Sequence, residues 1–279
     1  MKFGVNTFIW TPTFDKSNVP LLAAIKEHGF DGVEVPCFRA QDFPAADIRK
    51  GVEANGLECT VCSVLPQGLS LVSEDAAVRA KTVAHLRECI TAVAEAGVRV
   101  IAGPLYSPVG FMTGRRRTAD EWKWAVEGYQ AVTGALEQSH VTLAIEPLNR
   151  FETYFLNTAE DAARLAAEVN HPNFGILFDT FHANVEEKSI AAGLRTAGPY
   201  LKHLHSCEND RGIPGTGHVD WMGVFQALRD MRYDGWVTIE SFGFALGELS
   251  AAASIWRDIA PSPEAIAFEG VKFLMKHLA

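Results

Sequence analysis

Short runs of branched and aromatic residues alternate with helix-length amphipathic segments along the whole of this 279-residue chain, and that alternation constrains the fold most. KFGVNTF, GVEVPCF, LECTVCSVL and RVIAGPL read as the first four strands. The segments between them are helical: NVPLLAAIKEHG closing at Gly29, AADIRKGVEANG, and an amphipathic stretch from Glu74 to Gly97. Thr118 with Glu121 three residues on is a capping-box start for the next helix, which runs to Glu137. VTLAIEP, FGILFDT, LKHLH and GWVTIES supply four further strands, separated by helical patterns at 159–169, 190–197 and 221–231, and a last helix covers 264–278. Strands joined through helices run parallel. Eight such units in order predict a single-domain (β/α)8 TIM barrel over residues 1–279, with a doubly wound open sheet as the competing arrangement.

The last four strands end on Glu146, Asp179, His205 and Glu240, spaced by 33, 26 and 35 residues. A parallel barrel brings the C-terminal ends of its strands to one rim, so these four side chains are expected to converge. One Glu at a strand end is commonly a cap or a loop ion pair; four polar ends on successive units favour a metal site. Oxygen and nitrogen donors without thiolate suit Mn²⁺, Co²⁺ or Mg²⁺ better than a structural zinc. Glu146 and Glu240 lie on strands five and eight and can approach a central ligand from different sides. Taking a hydrogen from one face of a carbon beside a ketone, and returning one to the other face, needs such a pair. The cis-enediolate formed between those steps carries negative charge that a divalent ion can stabilise. His203 shares a strand face with His205 and can orient it.

Composition narrows the partners. Hydrophobic residues make up 48% and charged residues 21%, ordinary for a globular chain, and a net charge of −9 disfavours nucleic acid or an anionic membrane surface. The opening MKFGVNTFIW reads as a strand rather than a signal peptide, and no apolar run approaches a membrane span, so a cytoplasmic location is expected. Of five cysteines, Cys59 and Cys62 form a C-x-x-C on a strand. Three positions along a strand is an odd step, so the two thiols are expected on opposite faces and reduced. Cys207, two residues past His205, is the one expected near the chemistry. Arg115, Arg116 and Arg117 form a basic triplet, expected at the surface or an interface, with a substrate phosphate or carboxylate as the sharper alternative.

The runs AIEPLNRFE, LFDTFHANVEE, HLHSCENDR with PGTG, and IESF followed by WRD resemble the ketose 3-epimerases, the D-tagatose, D-psicose (allulose) and L-ribulose 3-epimerase group of the xylose-isomerase-like barrels. The resemblance runs from Glu146 onward, and SEDAAVRA near position 75 is similar too. It implies a divalent metal, Mn²⁺ first and Co²⁺ or Mg²⁺ next, held by Glu146, Asp179, His205 and Glu240. It implies acid/base work by Glu146 and Glu240 and substrate contacts from Glu152, His182 and Arg211. The implied reaction is epimerisation at C3 of free ketoses, and the implied assembly a homodimer or homotetramer. Departures gather at the distal end of the substrate. Asn6 and Phe14 stand where the family carries Tyr and Trp, Trp10 is kept, and Ala102–Pro108 replaces a G-G-A-L-H-S-Y-W-like run. These positions, with Phe242, are expected to contact the far carbons of the sugar. Other sugar enzymes of the same barrel, an aldose–ketose isomerase or an inosose-type dehydratase, are the alternative. A zinc endonuclease of related fold would need more His and acidic ligands and a basic face. A barrel that only binds sugar has no need of two opposed carboxylates.

Overall fold

The structure, a computed structural model, describes residues 1–278. Eight parallel strands close into a ring in sequence order, which decides against the open sheet. They are β1 (Lys2–Asn6), β2 (Gly32–Pro36), β3 (Glu58–Cys62), β4 (Val100–Gly103), β5 (Thr142–Ile145), β6 (Phe174–Asp179), β7 (Leu201–His205) and β8 (Trp236–Ile239). The seam is sealed by β1 on β8, with Lys2 opposite Trp236 and Val5 opposite Ile239.

Helices α1 (Leu21–Glu27), α2 (Ala45–Asn55), α3 (Ala76–Glu95), α4 (Ala119–Ser139) and α5 (Ala159–Val169) follow the first five strands. α6 (Thr180–Glu186) and α7 (Ile190–Ala197) follow β6, α8 (Trp221–Asp230) follows β7, and α9 (Glu248–Ala252) and α10 (Pro263–Leu278) follow β8. The Thr118–Glu121 capping box forms as the sequence predicts. Two helices were not anticipated. α6 starts immediately at Asp179, whose side chain accepts from the Phe181 amide, so one residue both ends a strand and caps a helix. α9 lies within the long insert after β8.

Strand residues facing outward, such as Val33, Val61, Leu143 and Ile176, pack with helix residues such as Leu22, Ile90, Val132 and Leu165 in one continuous apolar layer. Burial of this layer is the main favourable contribution to folding. The barrel interior is instead partly polar: Glu34, Thr60, His203 and Thr238 are buried. All five cysteines are free and buried. Cys59 packs in the outer apolar layer, whereas Cys62 faces a cavity at the C-terminal strand ends, as their odd spacing predicts. Among the described residues no helix is long and apolar enough to cross a membrane.

Candidate metal centre and cavity

A cavity of about 270 Å³ opens at the C-terminal ends of the strands. Its polar residues come from strand ends, the turns after them and, for His182, the first turn of α6: Ser63, Glu146, Glu152, His182, His205, Arg211 and Glu240. The facing walls are apolar, with Phe8, Phe38, Val64, Val109 and Phe242 joined by Leu249, Ala252 and Ala253 from the α9 segment. Ser250 fixes that segment, donating to the Gly243 carbonyl at 2.7 Å and accepting from the Leu246 amide at 2.8 Å.

Glu146, Asp179, His205 and Glu240 each offer one ligand atom, and the four atoms lie within 4.8 Å of one another. All four residues are buried. Glu146 Oε1 and His205 Nδ1 find no hydrogen-bond partner among the described residues. A buried polar atom without a partner costs roughly 1–3 kcal/mol, and two of them facing one point mark a place for a further ligand. The donor set of three carboxylates and one imidazole fits a divalent cation.

Electrostatics divide the cluster. Burial, reinforced by the Glu240 charge, pushes the Glu146 carboxyl well above the usual range. Burial would raise Asp179 too, but Arg211 and the neighbouring histidines outweigh it and hold that carboxyl well below its ordinary value. The Arg211 guanidinium lies between Phe181 and Phe242, its Cζ 4.1 and 5.3 Å from the ring centroids. Cys207 Sγ sits 3.4 Å from Asp179 Oδ2 and 2.9 Å from Arg211 Nη1, which places this thiol beside the cluster. His182 Nδ1 accepts from the Asn149 amide at 3.1 Å, and Nε2 faces the cavity, 3.3 Å from Arg211 Nη2 and 3.6 Å from Glu146 Oε1. Burial keeps His182 below its usual pKa and therefore neutral. Glu152 is held by Asn149 Nδ2 at 2.7 Å.

Of the residues expected to reach the distal substrate, Phe242 lines the cavity and stacks on Phe8, with centroids 5.6 Å apart. Asn6, Trp10 and Phe14 do not line it, which corrects their expected positions. A short helical turn over Thr7–Ile9 follows β1 directly and swings Phe8 to the cavity, leaving Trp10 to pack on Phe268. Phe14 enters a separate recess beside Cys37 and Phe43. Asn6 sits beneath the floor, its amide 3.0 Å from Glu34 Oε1 and 3.5 Å from Glu240 Oε1. Gly103 and Pro104, in the divergent run after β4, do line the cavity. None of the arginine triplet lines it. Arg115 makes a two-pronged pair with Glu121, and Arg117 pairs with Asp161.

Two carboxylates were given no role by the sequence reading, although Glu208 lies within the quoted run HLHSCENDR. Glu34, on β2, contacts both His203 and His205 at 2.8 Å. Glu208 accepts from the amides of Asn209, Gly215 and Val219 and from the Trp221 indole, which folds the loop that presents Arg211. An acidic residue inside an otherwise apolar strand was the available signal for Glu34.

A sequence model of the xylose isomerase-like TIM barrels matches residues 22–277. A probable ketose 3-epimerase from Synechocystis sp. is 38% identical over 98% of this chain and 96% of its own length. The chain belongs to the ketose 3-epimerase family. It is thus an isomerase of the epimerase type within the xylose isomerase-like barrels. A D-psicose 3-epimerase from Agrobacterium fabrum is 33% identical over 93% of this chain and 91% of its own. Among solved structures, D-psicose 3-epimerase from Clostridium cellulolyticum H10 with D-tagatose superposes with a TM-score of 0.91 at 29% identity, covering 100% of this chain and 99% of that one.

Proposed function

We propose that this chain interconverts free ketoses that differ at C3, with D-psicose/D-fructose, D-tagatose/D-sorbose and L-ribulose/L-xylulose as the pairs to examine. The carrying observation is that Glu146 and Glu240 join Asp179 and His205 around one point at the floor of a cavity whose outer walls are apolar. In this reading those four residues hold Mn²⁺, with Co²⁺ or Mg²⁺ as substitutes. The ion, when bound, polarises the ketone carbonyl and stabilises the charge that develops on it. Glu240 and Glu146 act from opposite sides of C3: one takes the proton and the other, protonated, returns one to the opposite face. Glu152, His182 and Arg211 orient the hydroxyls near the reacting carbon. His182 reaches the substrate through Nε2, since Nδ1 is already engaged by the Asn149 amide. The apolar walls exclude water while the carbon is deprotonated.

Metal-loaded protein incubated with a panel of ketoses in D₂O, with products resolved by chromatography and the label located by NMR, tests the reading. C3 epimers labelled at C3 are expected, with activity lost on chelation and regained with Mn²⁺ or Co²⁺. Label at C1, or an aldose product, would replace the reading by an aldose–ketose isomerase. Loss of water from the sugar would replace it by a dehydratase.

A further inference from the structure

β2 is buried along all five of its residues, and Glu34 lies in the middle of it with 0% exposure. A carboxylate in such a place is retained only when its charge and both oxygens are satisfied. Glu34 Oε1 is 3.0 Å from Asn6 Nδ2 and 2.8 Å from His205 Nε2. Glu34 Oε2 accepts from Thr60 Oγ1 at 3.0 Å, and His203 Nε2 lies 2.8 Å from it without hydrogen-bond geometry. An ionised carboxylate only accepts, so the neighbours must present protons to it. This requirement settles the His205 ring: Nε2 carries the hydrogen, and a neutral ring then has its lone pair on Nδ1. Nδ1 faces the cluster, 3.4 Å from Glu240 Oε2 and 3.8 Å from Asp179 Oδ2, and like Glu146 Oε1 it is buried without a hydrogen-bond partner among the described residues.

We propose that Glu34 is a positioning residue of the metal centre, holding His205 by its Nε2–H so that the Nδ1 lone pair points at the cation. This rests on the reading that Glu146, Asp179, His205 and Glu240 hold one divalent ion. Asn6 and Thr60 in turn fix the carboxylate, so the centre is set by β1, β2 and β3 as well as by the four strands that carry its ligands. Glu34, His203 and His205 also lie close enough to be ligands of a second ion. Asn6 and His205 on Oε1 and Thr60 on Oε2 argue against that, because each oxygen already accepts a hydrogen bond.

Co²⁺ titration of the purified full chain, followed by visible absorption, tests the proposal. The ligand-field bands report the geometry at the ion, and the titration gives affinity and stoichiometry without any assay of turnover. Wild-type protein is expected to bind one Co²⁺. Glu34→Gln should weaken it on the order of 10- to 100-fold and move the bands, the size of effect seen when the hydrogen-bond partner of a metal-bound histidine is removed. Thr60→Val preserves shape and removes one donor to Glu34, and should weaken binding by about 2- to 10-fold in the same direction. Circular dichroism checks the fold of each variant, and should Glu34→Gln fail to fold, Thr60→Val decides. Unchanged affinity and bands in either folded variant would overturn the positioning role while leaving the metal reading intact. Two ions per wild-type chain would overturn it in favour of the second centre. A wild-type chain that binds no Co²⁺ would remove the metal reading itself.

Discussion

Arg211 Nη1 and Asp179 Oδ2 form a buried ion pair at 2.8 Å, and the same nitrogen lies 2.8 Å from Glu240 Oε2. The guanidinium therefore supplies positive charge to the acidic cluster from its rim. Removing it leaves buried carboxylates without that counter-charge, which typically costs about 3–5 kcal/mol. Arg211→Ala is expected to bind metal but to turn over ketoses poorly, and its metal-free form should melt well below wild type. Mn²⁺ should raise its melting temperature by more than it raises that of wild type. Calorimetry with and without the ion checks this, and an equal rise in both proteins would count against it.

The acid/base pair is addressed by Glu146→Gln and Glu240→Gln. Each should abolish epimerisation, because an amide cannot exchange the proton. In D₂O, either variant is expected to exchange the C3 hydrogen of at most one epimer, through its surviving carboxylate. Proton NMR of both substrates follows that exchange. Undiminished epimerisation by either variant would move the proton transfer to another residue.

A pH effect on stability is expected from Glu208. Burial alone would raise its carboxyl, but the Trp221 indole and the three amides outweigh it and hold the group below its ordinary value of 4.5. A depressed native pKa means stability that is present above the unfolded value and lost as pH falls through the folded one. Glu208→Gln should cost about 1–3 kcal/mol at neutral pH, from lost charge-assisted bonds, and should flatten the decline below pH 4.5. Urea unfolding at several pH values checks this. Parallel curves for the two proteins would show that the charge contributes nothing.

Leu249, Ala252 and Ala253 of the α9 segment form one wall of the cavity. Ala252 lies at its exposed edge, so a larger side chain can enter the cavity mouth without disturbing the core. Ala252→Phe is expected to lower kcat/KM for ketohexoses by about 10-fold while sparing ketopentoses, the usual scale for a steric change in an apolar pocket. Equal losses on both sugars would show that this wall does not read chain length.

The eight strands were legible because a parallel strand buried on both faces is a short apolar run flanked by helical periodicity, and β5 to β8 announce themselves by a polar residue at the end of each run. That rhythm brought Glu146, Asp179, His205 and Glu240 together correctly as a cluster in space. It missed Glu34, because a lone carboxylate within GVEVPCF carries no periodic signal, and its partners lie as many as 171 residues away. Trp10 and Phe14 were expected near the sugar from the family resemblance alone; the helical turn that begins after Asn6 turns Phe8 to the cavity instead. α6 was invisible because the strand and the helix share Asp179 with no intervening loop.

The seam between β1 and β8 gives the order of events during folding a readable signature. The four proposed ligands stand at or just past the ends of β5 to β8, whereas Asn6, Glu34 and Thr60 lie on β1 to β3, so the whole set is together only in the closed ring. If Glu34 positions His205 for the ion, tight capture requires the closed ring. In a refolding experiment, the moment at which Co²⁺ acquires its native spectrum would time the last strand pairing of the barrel.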